Sequence, residues 1–249
     1  MYHKRISPTL LISKSGLVKT VKFSNPNYIG DPINTVKIFN EKQVDEIIIF
    51  DISAKYNKSI NIRLLKEMST EAFVPLTYGG YIHNLNDMEK IFKIGFEKIV
   101  INSGIKSLNF VKSAVTKFGS SSVVGCIDVA RTFFKKNFVV NNTKQDVIFL
   151  LNTFEDCGVG EIIINDTDRD GTYNGLDIIL ANHVTDNTNV PVCLVGGTSS
   201  FQDAVSTLNK SELQAIGIGS DCVYRKKGQG VLIKYPDRSF LKSKLKNYI

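Results

Sequence analysis

The sequence predicts a single-domain α/β protein with the architecture of a (β/α)8, or TIM, barrel. Eight short, β-branched apolar segments alternate with eight amphipathic segments over 249 residues, which is the pattern of repeated strand–helix units. The strand segments are almost continuously apolar, as expected for parallel strands covered on both faces. No linker rich in Pro, Gly or Ser interrupts the series. We therefore expect one domain over residues 1–249.

The elements follow in order along the chain. The strand candidates are Arg5–Ile12, Glu46–Asp51, Val74–Tyr78, Lys98–Asn102, Val123–Asp128, Glu161–Asp166, Val190–Val195 and Gln214–Ile218. The helix candidates lie near 31–43, 61–71, 85–95, 107–119, 145–157, 176–187, 200–209 and 237–248. The first helix has a clear start signal, because Asp31 can cap it and Pro32 suits its first turn.

The second half of the chain repeats motifs of the first half. EIIIFD at 46–51 returns as EIIIND at 161–166, an offset of 115 residues. The Gly-Gly pair at 79–80 returns at 196–197, and the Ile-Asn-Ser at 101–103 returns as Ile-Gly-Ser at 218–220, both at an offset of 117. Because four successive strands match the next four, the predicted barrel consists of two similar half-barrels.

Composition excludes several classes of protein. With 43% hydrophobic and 22% charged residues, the chain is neither disordered, collagen-like nor a coiled coil. It has no apolar run near the ~18 residues of a membrane span, and its N-terminus lacks a signal-peptide pattern, so we expect a cytoplasmic protein without a membrane partner. Four cysteines at irregular spacing, without a CxxC pair, predict no disulfide scaffold.

The net charge and the spacing of the histidines limit the classes of ligand that the protein is expected to bind. The net charge of +7 suits anionic ligands. Nucleic-acid binding needs a clustered basic stripe with exposed aromatic residues, and only the Arg-Lys-Lys at 225–227 hints at one. His3, His83 and His183 lack the spacing of metal ligands. We expect no nucleic acid, no metal and no cofactor.

Small residues at the C-terminal ends of the strands predict two phosphate sites. In (β/α)8 barrels the reactive face lies at those ends, and glycines there let backbone N–H groups approach an anion. Any single Gly-Gly is often only a turn, but here the pairs recur at the half-barrel offset. A substrate with a phosphate at each end fits this symmetry. The pairs are Gly79-Gly80 and Asn102-Ser103 in one half, and Gly196-Gly197 and Gly219-Ser220 in the other.

Four charged residues are candidates for the chemistry at that face. Asp128 ends an apolar strand, so its carboxylate can serve as a general acid or base, or alternatively as a helix N-cap. Asp51 and Asp170 have the same two interpretations, and Asp170 is better suited to a structural or substrate-orienting role. Lys19 lies in a long segment between Gly16 and Gly30 that resembles a lid loop, from which it can reach a phosphate or remain solvated.

Several stretches together resemble the HisF family, the cyclase subunit of imidazole glycerol phosphate synthase. They are RISPTLLISKSGLVKTVKF, GDPINTVKIFNEKQVDEIIIFDI, PLTYGGYIH, KIVINS and DRDGT, followed by the late Gly-Gly and Gly-Ser. The resemblance implies a half-barrel duplication that takes ammonia from a HisH-type glutaminase and uses it to cleave and cyclise a ribonucleotide with two phosphates. By that resemblance Asp128 matches the catalytic acid and Lys19 the loop lysine. The phosphate positions correspond to Asn102, Ser103, Gly171, Gly197, Gly219 and Ser220.

The resemblance also implies an ammonia entrance at the N-terminal ends of the strands. The family places a ring of four charged residues there, and this chain has Arg5, Glu46, Lys98 and Glu161 at those positions. Two acids and two bases can pair and leave a narrow polar opening. A purely structural salt-bridge cluster is the alternative.

The chain departs from the family at three places. The family has an aspartate at the end of the first strand, related to Asp128 by the pseudo-symmetry, where this chain has Leu11. Tyr81 replaces the third glycine of a Gly-Gly-Gly motif, and residues 221–239 do not follow the usual ending. These departures resemble divergent HisF-like proteins of surface-polysaccharide (lipopolysaccharide, O-antigen) synthesis, which imply delivery of ammonia to an enzyme that amidinates a sugar.

Three functions therefore remain open from the sequence. The first is a lyase-type cyclase subunit of a glutamine amidotransferase complex in histidine biosynthesis. The second is an ammonia conduit that binds a HisH-like glutaminase and has little cyclase chemistry, which Leu11 favours. The third is the sister isomerase of histidine biosynthesis, which shares the half-barrel and the phosphate sites but which the charged ring disfavours.

Overall fold

Eight parallel strands close into a barrel, as the sequence predicts. The computed structural model describes residues 3–14, 16–102, 107–132, 138–140, 145–225, 228–246 and 248. The barrel strands in order are β1 (Arg5–Ser13), β4 (Ile47–Asp51), β5 (Leu76–Gly79), β6 (Lys98–Asn102), β7 (Val123–Arg131), β9 (Glu161–Asp166), β10 (Val192–Val195) and β11 (Ala215–Ile218). The barrel closes where β11 pairs in parallel with β1 through Arg5↔Ala215 and the three pairs above it.

Helices cover the outside of the barrel. They are α1 (Pro32–Glu41), α2 (Ala54–Asn57), α3 (Ile62–Glu71), α4 (Leu85–Lys93), α5 (Leu108–Phe118), α6 (Val147–Cys157), α7 (Ile178–Thr185), α8 (Phe201–Lys210), α9 (Ser220–Val223) and α10 (Arg238–Lys244). The start of α1 is confirmed, because the Asp31 carboxylate accepts the Asn34 N–H at 2.7 Å with Pro32 in the first turn. The two four-residue helices, α2 and α9, are too short for sequence periodicity to reveal. Among the described residues, none of the helices is both long and apolar enough to cross a membrane.

Two hairpins extend the barrel at equivalent places. After β1, β2 (Gly16–Val21) and β3 (Ser24–Gly30) form an antiparallel extension, and after β7, β8 (Phe138–Val140) does the same. The first strand of each half-barrel therefore carries a hairpin, which fits the predicted duplication. The prediction that residues 16–30 form a loop is wrong, because β2 pairs with the end of β1 through Gly16–Val18 and β3 pairs with β2.

These hairpins also change two strand ends. β1 and β7 continue beyond their predicted last residues, Ile12 and Asp128, because antiparallel partners satisfy the backbone above the barrel rim. Leu11 and Asp128 therefore lie within strands that go on past the reacting face. Both remain on the inner side because side chains alternate along a strand.

The barrel strands divide their side chains between two cores. Ile47 and Ile49 pack outward into the main core under the helices. Ile48 points inward and belongs to a separate small apolar cluster. That cluster fills the middle of the barrel and consists of Ile48, Val100, Val124, Cys126, Ile163, Cys193, Val195 and Ala215, with Phe50 against it. The middle of the barrel is therefore filled mainly by apolar side chains.

Candidate active site

The C-terminal ends of the barrel strands surround a cavity of about 640 Å³, which we call the mouth. Twelve of the predicted site residues line it, so the structure brings them together at one face. They are Lys19, Asp51, Gly79, Gly80, Asn102, Asp128, Asp170, Gly171, Gly196, Gly197, Gly219 and Ser220. The thirteenth, Ser103, lies outside the described residues.

Asp128 is held at the base of the mouth by two amides. Asn102 Nδ2 donates to its Oδ2 at 2.9 Å, and Asn165 Nδ2 donates to its Oδ1 at 3.2 Å. Burial raises the pKa of Asp128, and the two hydrogen bonds only partly offset that rise. A carboxyl group whose pKa moves toward neutrality is better suited to exchange a proton at physiological pH. No hydrogen bond to a helix N-terminus engages it among the described contacts, so the N-cap interpretation is not supported.

Lys19 differs from its predicted setting. It lies in strand β2 and is buried, and its ammonium donates to the Thr9 carbonyl oxygen at 2.7 Å. Burial lowers the pKa of Lys19, while Cys222 and Asp170 oppose the change. A Cβ on Gly219 would lie 2.7 Å from Lys19 Nζ, so the lysine reaches the predicted phosphate position of the second half-barrel.

Asp51 and Asp170 serve the framework of the mouth. Asp51 Oδ1 accepts the N–H groups of Ser53 and Ala54, both at 2.9 Å, and so holds the start of the short helix α2. Asp170 Oδ2 accepts the Thr20 hydroxyl at 3.0 Å and ties the β2–β3 hairpin to the opposite rim. Both carboxylates therefore make the contacts expected of structural residues.

Glycine is required by the backbone in the second half-barrel. Gly196 has φ +106°, and a Cβ there would lie 2.5 Å from the Asp166 carbonyl oxygen. Gly197 has φ +91°, and its Cβ would lie 2.7 Å from the Gly175 carbonyl oxygen. Both positions combine a left-handed conformation with a close approach, so any other residue would strain this part of the rim.

Tyr81 occupies a backbone conformation that suits glycine. Its φ is 49°, in the left-handed region, and its ring packs edge-on against His83 with centroids 4.0 Å apart. Both residues line the mouth. The position where the family has its third glycine is thus occupied by a bulky side chain that the backbone disfavours by about 1–2 kcal/mol.

Leu11 lies inside the mouth on β1. It is half-buried, and β1 pairs there with Phe50 of β4. Asp128 occupies β7, the first strand of the other half-barrel. One of the two symmetry-related positions therefore carries a carboxyl group and the other an alkyl group that cannot transfer a proton.

Two further polar residues at the mouth were missed from the sequence. Asn165 orients Asp128, and its inward direction follows from strand alternation, since it lies four residues after Glu161. Thr198 follows the Gly-Gly pair, and its buried hydroxyl has no hydrogen-bond partner within the described part of the chain. No sequence signal distinguishes Thr198 from an ordinary turn residue.

At the opposite end of the barrel the four predicted charges form a closed ring. Arg5 Nε lies 2.8 Å from Glu46 Oε2, and Arg5 also pairs with Glu161. Lys98 Nζ completes the ring at 3.1 Å from Glu46 Oε1 and 2.9 Å from Glu161 Oε2. Each cation therefore contacts both anions, and we call this group the charged ring.

The charges of the ring stabilise one another. Burial raises the pKa of Glu46, but Arg5 and Lys98 outweigh burial and bring that pKa to about 2. Burial lowers the pKa of Lys98, but Glu161 and Glu46 outweigh it, so the pKa is raised. Glu46 and Lys98 therefore stay ionised at neutral pH. A surface groove of about 760 Å³ contains Arg5, Lys98 and Glu161 in its wall, so the ring meets the outside at the bottom face.

Comparison with known proteins identifies the family of this chain. A family model described as "Histidine biosynthesis protein" matches residues 5–227. A Pseudomonas aeruginosa protein, provisionally named imidazole glycerol phosphate synthase subunit hisF2, is 42% identical over 244 residues, which cover 95% of this chain and 97% of that protein.

Two further relatives cover most of the chain. A Leptospira interrogans protein, provisionally named imidazole glycerol phosphate synthase subunit HisF, is 40% identical over 246 residues, 96% of this chain and 97% of that protein. The Clostridium botulinum protein named imidazole glycerol phosphate synthase subunit HisF is 35% identical over 223 residues, 86% of this chain and 88% of that protein. The closed barrel and the extent of these matches lead to one conclusion: the chain belongs to the HisF family of histidine biosynthesis proteins, in a divergent branch.

Proposed function

We propose that this chain is the HisF-like cyclase subunit of a glutamine amidotransferase complex of the imidazole glycerol phosphate synthase type. It receives ammonia at the charged ring from a HisH-like glutaminase and uses it at the mouth on a phosphorylated ribonucleotide. The observation that best supports this proposal is that the charged ring and Asp128 lie at opposite ends of one closed barrel. In chemical terms the reaction is a lyase-type cyclisation.

The interior between the two ends supports transport of a neutral molecule. The apolar cluster in the barrel contains no anion with which an ammonium ion could pair, and burial of an unpaired charge costs many kcal/mol. Neutral ammonia does not carry that cost. The ring above the bottom groove presents fixed cations and anions that can exchange hydrogen bonds with a small polar molecule, and its charges stay paired throughout.

The mouth supports a substrate with a phosphate at each end. Gly79-Gly80 and Asn102 form one rim cluster, and Gly196-Gly197 forms the other with Gly219 and Ser220. The buried hydroxyl of Thr198 adds a donor to the second cluster. Asp128, which accepts a hydrogen bond from Asn102 of the first cluster, would protonate a leaving group or accept a proton from an attacking nitrogen.

Leu11 and Tyr81 favour a second candidate function. In it the chain passes ammonia to an acceptor other than the histidine-pathway ribonucleotide, such as an enzyme that amidinates a surface-polysaccharide sugar, and has little cyclase activity of its own. Leu11 removes one of two acid/base groups, and Tyr81 narrows the first phosphate cluster. These two residues are the specific observations that distinguish this chain from an ordinary cyclase subunit.

The shared step of both functions can be tested with purified proteins. The HisH-like glutaminase of the same organism should hydrolyse glutamine faster when this chain is added, and the two should form a stable complex at micromolar concentration. Absence of both binding and stimulation would rule out both functions. Rescue of a histidine auxotroph that lacks its own HisF separates them, since growth requires cyclase activity, whereas a folded protein that fails to rescue supports the second function.

Tyr81→Gly is expected to tighten binding of inorganic phosphate at the first cluster. Glycine removes the ring and adopts φ 49° without strain, which offsets its larger entropy loss of about 0.5–1 kcal/mol on folding. Stability should therefore change by no more than about 1 kcal/mol. Titration calorimetry with phosphate and urea unfolding measure the two effects.

Tyr81→Ala is the matched control for that variant, because it removes the ring but keeps the strained backbone. We expect Tyr81→Ala to unfold at a lower urea concentration than Tyr81→Gly. We also expect it to bind phosphate no more tightly than Tyr81→Gly does. Equal phosphate affinity in wild type and Tyr81→Gly would contradict a restrictive role for this tyrosine.

A further inference from the structure

The end of the chain is anchored beside the charged ring. Residues 231–246 and Tyr248, which we call the C-terminal strap, contain helix α10 and pack Tyr235, Leu241 and Leu245 into the main core. The strap reaches the bottom of the barrel, where Arg238 and Tyr248 line the same groove as Arg5 and Lys98. It overlaps the segment in which the sequence departs from the usual HisF ending.

Two tyrosine hydroxyls of the strap meet at Asp45. Tyr248 Oη donates to Asp45 Oδ1 at 2.7 Å. Tyr235 Oη donates to the Ile6 carbonyl oxygen at 2.8 Å and lies 3.4 Å from Asp45 Oδ2. Asp45 Oδ2 also accepts the Ile6 N–H at 3.1 Å. The strap therefore joins the start of β1 to Asp45, two residues before β4 begins.

Both anchored residues are chain neighbours of the ring. Ile6 follows Arg5, and Asp45 precedes Glu46. Neighbouring Cα atoms are 3.8 Å apart across a trans peptide, so a fixed Ile6 and Asp45 limit where Arg5 and Glu46 can place their side chains. Because the Arg5–Glu46 pair is one side of the ring, small shifts at the anchors alter the opening between the four charges.

We propose that Tyr235 and Tyr248 are positioning residues for the ammonia entrance. Through Asp45 and Ile6 they hold Arg5 and Glu46 in the geometry that admits ammonia from the bottom groove. The proposal depends on the proposed function only in that ammonia is the molecule that passes the ring. The mechanical coupling of the strap to the ring does not depend on the proposed function.

The coupling is tested first on the isolated chain by amide hydrogen exchange. Tyr248→Phe and Tyr235→Phe remove only hydroxyl groups and leave the rings in place. Exchange of peptides that contain Ile6 and Glu46 should rise about 5–10-fold, which corresponds to the loss of about one net hydrogen bond. Peptides at the mouth around Asp128 should not change. Tyr28→Phe, a substitution of an exposed tyrosine on the β2–β3 hairpin, is the matched control. Unchanged exchange at Ile6 and Glu46 would overturn the proposal whatever the function.

The functional part compares two sources of ammonia in the complex with the HisH-like glutaminase. In the tyrosine variants the glutamine-dependent turnover should fall about 5–10-fold relative to turnover with added ammonium salt at high pH. A merely structural role predicts an unchanged ratio, and that result together with increased exchange would refute positioning. A wild-type complex in which glutamine supports no transfer at all would instead refute the proposed function of the ring, and the positioning role with it.

Discussion

Asp128→Asn is expected to lower ammonia-dependent turnover by about 10²–10⁴-fold, the typical contribution of a positioned general acid or base. Asparagine keeps the shape of the side chain but cannot exchange the proton. Burial raises the pKa of Asp128, so a neutral amide avoids the cost of a buried charge, and the protein should stay folded. Turnover with ammonium salt and thermal unfolding measure the two effects.

The same substitution is most informative in a Leu11→Asp background. A carboxyl group at position 11 restores the second acid/base group of the half-barrel symmetry, so Leu11→Asp alone should raise turnover of the HisF substrate above wild type. The gain is limited, because a misplacement of ~1 Å can cost about 10²-fold and Tyr81 still narrows the mouth. Asp128→Asn should abolish whatever activity appears.

Two outcomes would contradict this account of the mouth. One is a wild-type protein that turns over like an ordinary cyclase subunit, since Leu11 would then be no handicap. The other is a gain in Leu11→Asp that survives Asp128→Asn, since Asp128 would then not supply the proton. The alkaline limb of the pH–rate profile adds a check, because a proton donor loses activity as it ionises, and that limb should lie above the ordinary range of an aspartate, in the direction of the raised pKa of Asp128.

Glu46→Ala is expected to destabilise the fold by about 3–5 kcal/mol, the usual cost of removing one partner of a buried ion pair. The substitution leaves Arg5 and Lys98 facing Glu161 alone, and the buried Thr77 hydroxyl loses its acceptor. The free energy of unfolding in urea measures the effect. The loss is large because the Glu46 side chain is only 4% exposed.

Glu89→Ala is the matched control, because Glu89 also pairs with two lysines, Lys93 and Lys117, each at 2.8 Å. Those pairs lie on the helix surface, where water screens them, so the urea midpoint should not change measurably. A similar loss in both variants would show that burial of the charged ring is not what makes Glu46 important.

The charged ring also predicts how stability depends on pH. The pKa of Glu46 is about 2 in the folded protein against an ordinary value of 4.5. A depressed carboxyl pKa contributes stability that is present above the unfolded value and is lost as pH falls through the folded one. Acid should therefore weaken wild type progressively between pH 4.5 and about 2, and Glu46→Ala should lose less stability over that range.

The sequence predicted the barrel because buried parallel strands leave an unmistakable apolar pattern. The ring was identified through the resemblance to the HisF family, at positions where Lys98 and Glu161 open their strands. The β2–β3 hairpin was missed because its pairing extends β1 above the barrel, and a short polar turn between two strands resembles a loop. The burial of Lys19 was missed with the hairpin, because Lys19 lies in β2. Its ammonium is buried against the Thr9 carbonyl oxygen, a contact that the sequence does not show. The role of Asn165 was missed because it depends on Asp128, its partner on the neighbouring strand, and the sequence does not show that pairing.

Closure of the barrel has a consequence for how the chain folds. The pairing of β1 with β11 joins the first strand to the last, and the hydrogen bond from Tyr235 to Ile6 spans 229 residues. These contacts can form only after the whole chain is available, and high contact order slows folding. A nascent first half-barrel therefore exposes two strand edges, the Arg5–Pro8 part of β1 and β6, which are templates for aggregation. Expression at low temperature or with abundant chaperones should raise the soluble yield, and truncation before β11 should abolish it.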